Sequence, residues 1–316
     1  MGALPAPDMI AEPDGFVVVV EPGDRIHFLD WDGARVTGRS EVGALLVHGL
    51  AQSAWIWTPV ARRLRGATPV VAMDLRGHGL SDAPTEDGAY DLAVLAGDVV
   101  AVMEGSGLVS DVGERAVIAG HGFGAIVAAA AASGLGPRCA GLVLVDGGWE
   151  SLETSTGLDV DAFLRALDEP PEVMRSMSAF VADRTAFDPG TWDADQERAA
   201  RATVVETHAG RVVPVTRPHV LEACVRTMFA YDPITTLAAV EAPVVAIAAA
   251  ASRDDVPAAR DRDLAAASAA RVAAGRDAIA AVSFGHDGHN LMRYRPDAIS
   301  ATILALAIRT ATTGES

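Results

Sequence analysis

Four short apolar runs, at residues 44–47, 69–73, 116–119 and 142–145, each end on a histidine, an aspartate or a glycine: His48, Asp74, Gly120 and Asp146. Continuous apolar runs of this length suit parallel strands covered on both faces. Helically spaced stretches lie between them, at residues 55–64, at 92–103 behind Asp91 as N-cap, and at 123–132 before Ser133-Gly134. Strands that alternate with helices imply a doubly wound α/β sheet, mostly parallel. Residues 16–20 and 25–30, joined through Pro22-Gly23, read as an antiparallel hairpin ahead of it.

From Trp149 to Tyr231 the strand pattern disappears. Helical stretches at 160–167 and 219–229 are broken by Pro170-Pro171 and Pro189-Gly190. The rhythm then returns with strands at 244–248 and 278–284 and helices at 264–272 and 298–308. The middle stretch is thus an insertion into one sheet. The expected division is a core of residues 1–148 and 232–316 and a helical cap of 149–231. A chain of 316 residues, half of them apolar, has enough material for one such domain with a lid.

The formal net charge of −17 disfavours nucleic acid and anionic membranes. Cys139 and Cys224 match no metal motif and are expected to be buried thiols in a reducing compartment. Residues 1–13 have neither the basic nor the apolar stretch of a signal peptide, and no run is long enough to span a bilayer. A cytoplasmic protein is expected, acting on a small molecule without cofactor or metal.

Four motifs carry chemistry. Val47-His48-Gly49-Leu50, with Trp55 after it, resembles the oxyanion loop of α/β-hydrolases. Asp74-Leu75-Arg76-Gly77-His78-Gly79-Leu80-Ser81-Asp82 is similar to their D-x-R-G-H-G-x-S-D loop. Gly120-His121-Gly122-Phe123-Gly124 stands where that family has its nucleophile elbow, and Gly288-His289 before Arg295-Pro296 resembles its catalytic-histidine loop. The four occur in family order over almost the whole chain. The resemblance implies an eight-stranded, mostly parallel sheet with a helical cap. It makes His289 the base, in preference to His286, and the backbone N–H groups of Leu50 and Phe123 the oxyanion donors. The acid that orients the histidine is expected in the loop after residues 244–248. Asp254 is preferred there over Asp255, and Asp146, which some members use, is the alternative.

The departure is at Gly122. Ser-His-Asp chemistry needs a hydroxyl at the elbow, and no Ser, Cys or Asp lies between Val117 and Ala132. Three explanations are open: a serine replaced by glycine in an inactivated form, a His289 that acts without a covalent nucleophile, or a silent binder. The intact surroundings favour the first two. The function expected is hydrolysis of a carboxylic ester, thioester or lactone of a lipophilic small molecule. The alternative is a non-hydrolytic member: a His-dependent lyase or cyclase, or a binder. His48, Gly49, Trp149, Phe180, Trp192 and Phe229 are expected to line the substrate site, while His48, His78 and His121 shape their loops through hydrogen bonds.

Overall fold

The computed structural model describes residues 11–31, 42–109, 114–168, 172–250, 256–285 and 288–312. Strands are β1 (Asp14–Val20), β2 (Asp24–Asp30), β3 (Val42–Val47), β4 (Val70–Met73), β5 (Arg115–His121), β6 (Cys139–Val145), β7 (Val204–Glu206), β8 (Val212–Pro214), β9 (Val244–Ala250) and β10 (Ala280–Gly285). Helices are α1 (Thr58–Leu64), α2 (Leu92–Gly105), α3 (Phe123–Leu135), α4 (Leu152–Thr156), α5 (Val160–Ala166), α6 (Met177–Phe187), α7 (Ala194–Arg201), α8 (Pro218–Ala230), α9 (Pro233–Ala239), α10 (Val256–Ala273), α11 (Leu291–Tyr294) and α12 (Pro296–Thr312).

Eight strands form one sheet in the order β1-β2-β4-β3-β5-β6-β9-β10. The β1/β2 hairpin joins antiparallel, through β2 and β4, and every later pairing is parallel. β3, β4 and β6 are buried along their whole length, which explains their unbroken apolar sequence. One apolar layer lies under α2, α3 and α9 and holds Leu45, Ile118, Phe123 and Leu144. The other lies under α1 and α12 and holds Leu46, Val117, Val143 and Ile303. β3, β4 and β5 lead into Val47-His48, Met73-Asp74 and His121-Gly122, and β6 leads into Val145-Asp146; these strands run parallel, so three of the four motifs and Asp146 open at the carboxyl end of the strands.

The insertion is not wholly helical: β7 and β8 pair antiparallel inside it. At three residues each they are too short for the alternation rule to register. With α6 they enclose a small core of Met174, Phe180, Val204 and Val212. Asp91 precedes α2 without capping it through its side chain. Among the described residues, no helix is long and apolar enough to cross a membrane.

Candidate active site

The loop after β4 is a brace. Asp74 is buried and accepts hydrogen bonds from His27 Nδ1 (2.8 Å), Ala54 N (2.7 Å) and Leu80 N (3.0 Å). Burial pushes this carboxyl up, but those donors and the nearby His48 outweigh it and hold it below the ordinary range. Arg76 grips Asp98 with two bonds, of 2.8 and 2.7 Å, and Asp82 pairs with Arg25. This motif therefore pins the neighbouring loop after β3, through Ala54 N on Asp74 and Leu75 N on His48.

His48 was expected among the substrate-binding residues, and the structure corrects this. Its ring is fully buried; Nδ1 donates to Gly49 O (2.7 Å) and Nε2 accepts from Leu75 N (3.0 Å), so neither nitrogen is left for a ligand. Two more expected lining residues are occupied elsewhere. Phe180 is in the core of the insertion, and Trp149 is 1% exposed beneath the Arg260 guanidinium, 4.9 Å from its carbon. Trp192, beneath Arg293, and Phe229, edge-on to Phe163, remain half-exposed. Gly49 is buried, and its N–H donates to Gln52 Oε1 (3.0 Å).

β5 ends in a sharp turn at Gly122, with φ +52° and ψ −116°. Only glycine takes this conformation without strain. Packing around the turn is equally demanding. A β-carbon on Gly120 would lie 2.2 Å from Gly124 O, and one on Gly124 would lie 2.2 Å from His48 O. α3 starts directly after the turn, so the N–H of Phe123 is the first of the helix and has no intrahelical acceptor. Leu50 sits in the turn after β3, on the other side of Gly49.

His289 faces this turn. A β-carbon on residue 122 would stand 3.2 Å from its Nε2 and 3.6 Å from its Cε1, with Gly49 Cα next at 4.0 Å. Its Nδ1 lies 2.6 Å from Asp146 Oδ2. Because a carboxylate can only accept, the Nδ1 carries a proton, and in the neutral ring the Nε2 lone pair points toward Gly122. The ring is 60% exposed, whereas Asp146 is buried.

Asp146 has a left-handed backbone, φ +47°, and follows β6 directly. Its Oδ1 accepts from Ala249 N (3.0 Å) and Arg260 Nη2 (2.9 Å). Burial pushes the carboxyl up, but the hydrogen bond from His289, the Arg260 charge and the Ala249 N–H together hold it below the usual carboxylate range. Gly147 lets this turn approach the elbow, since a β-carbon there would lie 2.8 Å from Gly122 Cα. Asp254, Asp255 and His286 lie outside the described residues, and the carboxylate seen on His289 is that of Asp146.

Around this pair, His121 makes the loop-shaping hydrogen bonds expected of it, while sequence reasoning missed Gln52, Asn290, Arg260 and Glu150. His121 is fully buried, with its Nε2 3.1 Å from the His289 carbonyl, its Nδ1 3.1 Å from Gln52 Oε1, and its ring 4.4 Å from that of His289. Gln52 in turn donates to Asn290 (2.7 Å). Arg260 also meets Glu150 Oε1 (3.3 Å). No spacing signal links these positions; a charged residue on a helix reads as solvated until the fold places it. A cavity of about 410 Å³ between residues 85–91 and α8 is lined by neither Gly122 nor His289.

Among solved structures, the fold is similar to that of E-2-(acetamidomethylene)succinate hydrolase, with TM-score 0.72 and 19% identity over 93% of this chain and 98% of that one. It is also similar to the thioesterase domain from the curacin biosynthetic pathway, with TM-score 0.69 and 19% identity over 92% and 99%. In sequence, the chain is 29% identical over 113 residues to epoxide hydrolase 4 of Mus musculus. That match spans 36% of this chain and only 29% of the mouse protein. A model of the alpha/beta hydrolase family matches residues 44–302, and the chain belongs to that family.

Proposed function

We propose that this protein hydrolyses a carboxylic ester, thioester or lactone of a lipophilic small molecule, with water in place of a side-chain nucleophile. One observation carries the reading: the Nε2 of His289, its ring oriented by Asp146, stands over an elbow turn that bears no side chain. Among the described residues beyond its chain neighbours, nothing but that ring comes closer than 4.0 Å to the β-carbon position of Gly122. A water held there is within reach of the lone pair.

The chemistry follows from these positions. His289 Nε2 removes a proton from the water as its oxygen attacks the acyl carbon. The carbonyl oxygen takes the charge and is met by the N–H groups of Phe123 and Leu50, aided by the positive end of α3. The imidazolium is stabilised by Asp146 and returns the proton to the leaving alcohol or thiol as the tetrahedral adduct collapses. No acyl-enzyme forms. The names of similar proteins, among them a succinate-derivative hydrolase, a thioesterase and an epoxide hydrolase, share the addition of water to an electrophilic carbon. The half-exposed Trp192 and Phe229 support an apolar substrate body.

The test is hydrolysis of p-nitrophenyl esters of graded chain length, acyl thioesters and lactones in ¹⁸O-water. The expected result is turnover with label in the acid product, no acylated protein by mass spectrometry, and loss of turnover in His289→Ala. Absence of turnover together with gain of it in Gly122→Ser would overturn the water mechanism. Product formed without label uptake would favour a His-dependent lyase or cyclase.

A further inference from the structure

Asp146 serves two partners, one on each carboxylate oxygen. Oδ2 takes the His289 Nδ1 proton, while Oδ1 faces Arg260 Nη2 at 2.9 Å. Arg260 comes from α10, far from the four motifs in sequence, and is itself held on three sides. Its guanidinium lies over the Trp149 ring, its Nε meets Glu150 Oε1, and its Nη2 meets Asp146. Asp146, Trp149 and Glu150 all belong to the turn after β6. One arginine thus clamps the whole turn, whose first residue carries a left-handed backbone.

We infer that Arg260, braced by Glu150, is a positioning residue that fixes the Asp146 carboxylate in the one orientation that serves His289. A carboxylate held through the imidazole alone is free to turn about its Cβ–Cγ bond and tilt its oxygen out of line with the Nδ1–H. With Oδ1 tied to both Ala249 N and Arg260, Oδ2 alone is available. The positive guanidinium also offsets the charge of Asp146, so the two buried carboxylates of the turn do not face each other uncompensated. The Arg260–Glu150 contact is an ion pair and not a hydrogen bond, since neither Arg260 Nε nor Glu150 Oε2 has a hydrogen-bond partner among the described residues, and Glu150 is also met by the backbone N–H groups of Trp149 and of Glu150 itself. Arginine suits this place because its planar fork spans two acceptors at once.

The inference needs the observed Asp146 to His289 hydrogen bond but not the proposed hydrolysis, and its test is built to separate the two. In ¹⁵N-histidine-labelled full-length protein, the ring nitrogens of His289, assigned through His289→Ala, report the tautomer directly. With Nδ1 protonated and Nε2 bare, the two shifts are widely separated. In Arg260→Gln the expected result is convergence of the two shifts as the tautomers mix. On an ester that the protein turns over, kcat is expected to fall about 10²-fold with KM unchanged, the scale on which misplacing a catalytic group acts. If Arg260→Gln does not fold, Glu150→Gln, which frees one arm of the fork, is read in the same way. Ring shifts identical to wild type in the folded variant would overturn the positioning role. Converged shifts in a protein without ester turnover would leave that role standing and remove the hydrolase reading instead.

Discussion

The Nε2 of His289 lies 3.2 Å from the point a β-carbon on residue 122 would occupy. The imidazole thus stands in part of the space that a nucleophilic side chain would need. Gly122→Ser puts a side chain on a backbone at φ +52°, which is expected to cost about 1–3 kcal/mol. The exposed ring is expected to yield by a few tenths of an ångström, after which the hydroxyl lies within reach of its base. Chemical denaturation should show the loss of stability. Intact-mass spectrometry with an activated ester should show a covalent adduct absent from wild type; no adduct would mean that the ring cannot move aside.

The Asp146 carboxylate fixes the tautomer of His289, so its charge matters beyond its size. Asp146→Asn preserves the shape but presents an amide, which is compatible with the wrong tautomer. A fall in kcat on the order of 10³–10⁴-fold is expected, with little change in KM, by analogy with the equivalent change in a Ser-His-Asp site. A fall of less than about tenfold in steady-state kinetics would remove Asp146 from the chemistry.

Gly147 is a packing requirement. Its substitution by alanine sets a β-carbon 2.8 Å from Gly122 Cα and 3.0 Å from Gly122 O, both backbone atoms of the elbow. The turn must shift, so a destabilisation of about 1–3 kcal/mol is expected together with a drop in turnover. Gly157→Ala is the control, since nothing lies within 4 Å of the corresponding position. Its φ of +67° costs backbone strain alone. Equal residual activity in the two variants would refute the packing account.

Three buried histidines give the fold an acid sensitivity. Burial, aided by the charge of His48, pushes His78 down to about 3. Burial also lowers His48 against the pull of Asp74, and it lowers His121 together with the neighbouring His289. Each is neutral when folded, whereas the unfolded imidazole takes up a proton near pH 6.5. Their stabilisation is therefore complete above about pH 6.5 and is lost as pH falls from there toward the folded values, at up to about 1.4 kcal/mol per histidine per pH unit. Urea unfolding between about pH 8 and about pH 5, with salt at about 0.5 M to screen surface charge, should show stability falling below about pH 6.5. A flat profile would contradict the burial of neutral rings.

Arg271 is fully buried and donates to the carbonyls of Leu237, Val240, Ala242 and Asp277 at 2.8–3.0 Å. Arg271→Met leaves these oxygens without their donor. A loss of about 3 kcal/mol or more is expected, since each unsatisfied buried acceptor costs on the order of 1–3 kcal/mol. Equilibrium denaturation measures it, and a change within about 0.5 kcal/mol would show that water takes over the role.

Where a local rule acts, the fold was legible. Full burial of β3, β4 and β6 forced unbroken apolar runs, and the elbow glycines follow from backbone contacts that leave no room for a β-carbon. The insertion was legible only as a loss of rhythm, because β7 and β8 are too short to show a period of two. Two aromatic lining residues were misplaced because an aromatic reads the same in a core as in a pocket. Phe180 turned inward, and Trp149 went under Arg260. The preference for Asp254 rested on position along the chain. The contact at Asp146 depends on a left-handed backbone after β6, and no residue pattern announces one.

Asp146 closes the core strand β6 three residues before the insertion begins at Trp149. The chain therefore leaves the sheet from the very turn that aims the imidazole, and α4 follows at once, with Ser151 N bonded to Asp263 on α10. The start of the insertion and the orientation of the imidazole share one short piece of backbone. Anyone redesigning the insertion will be retuning the imidazole as well.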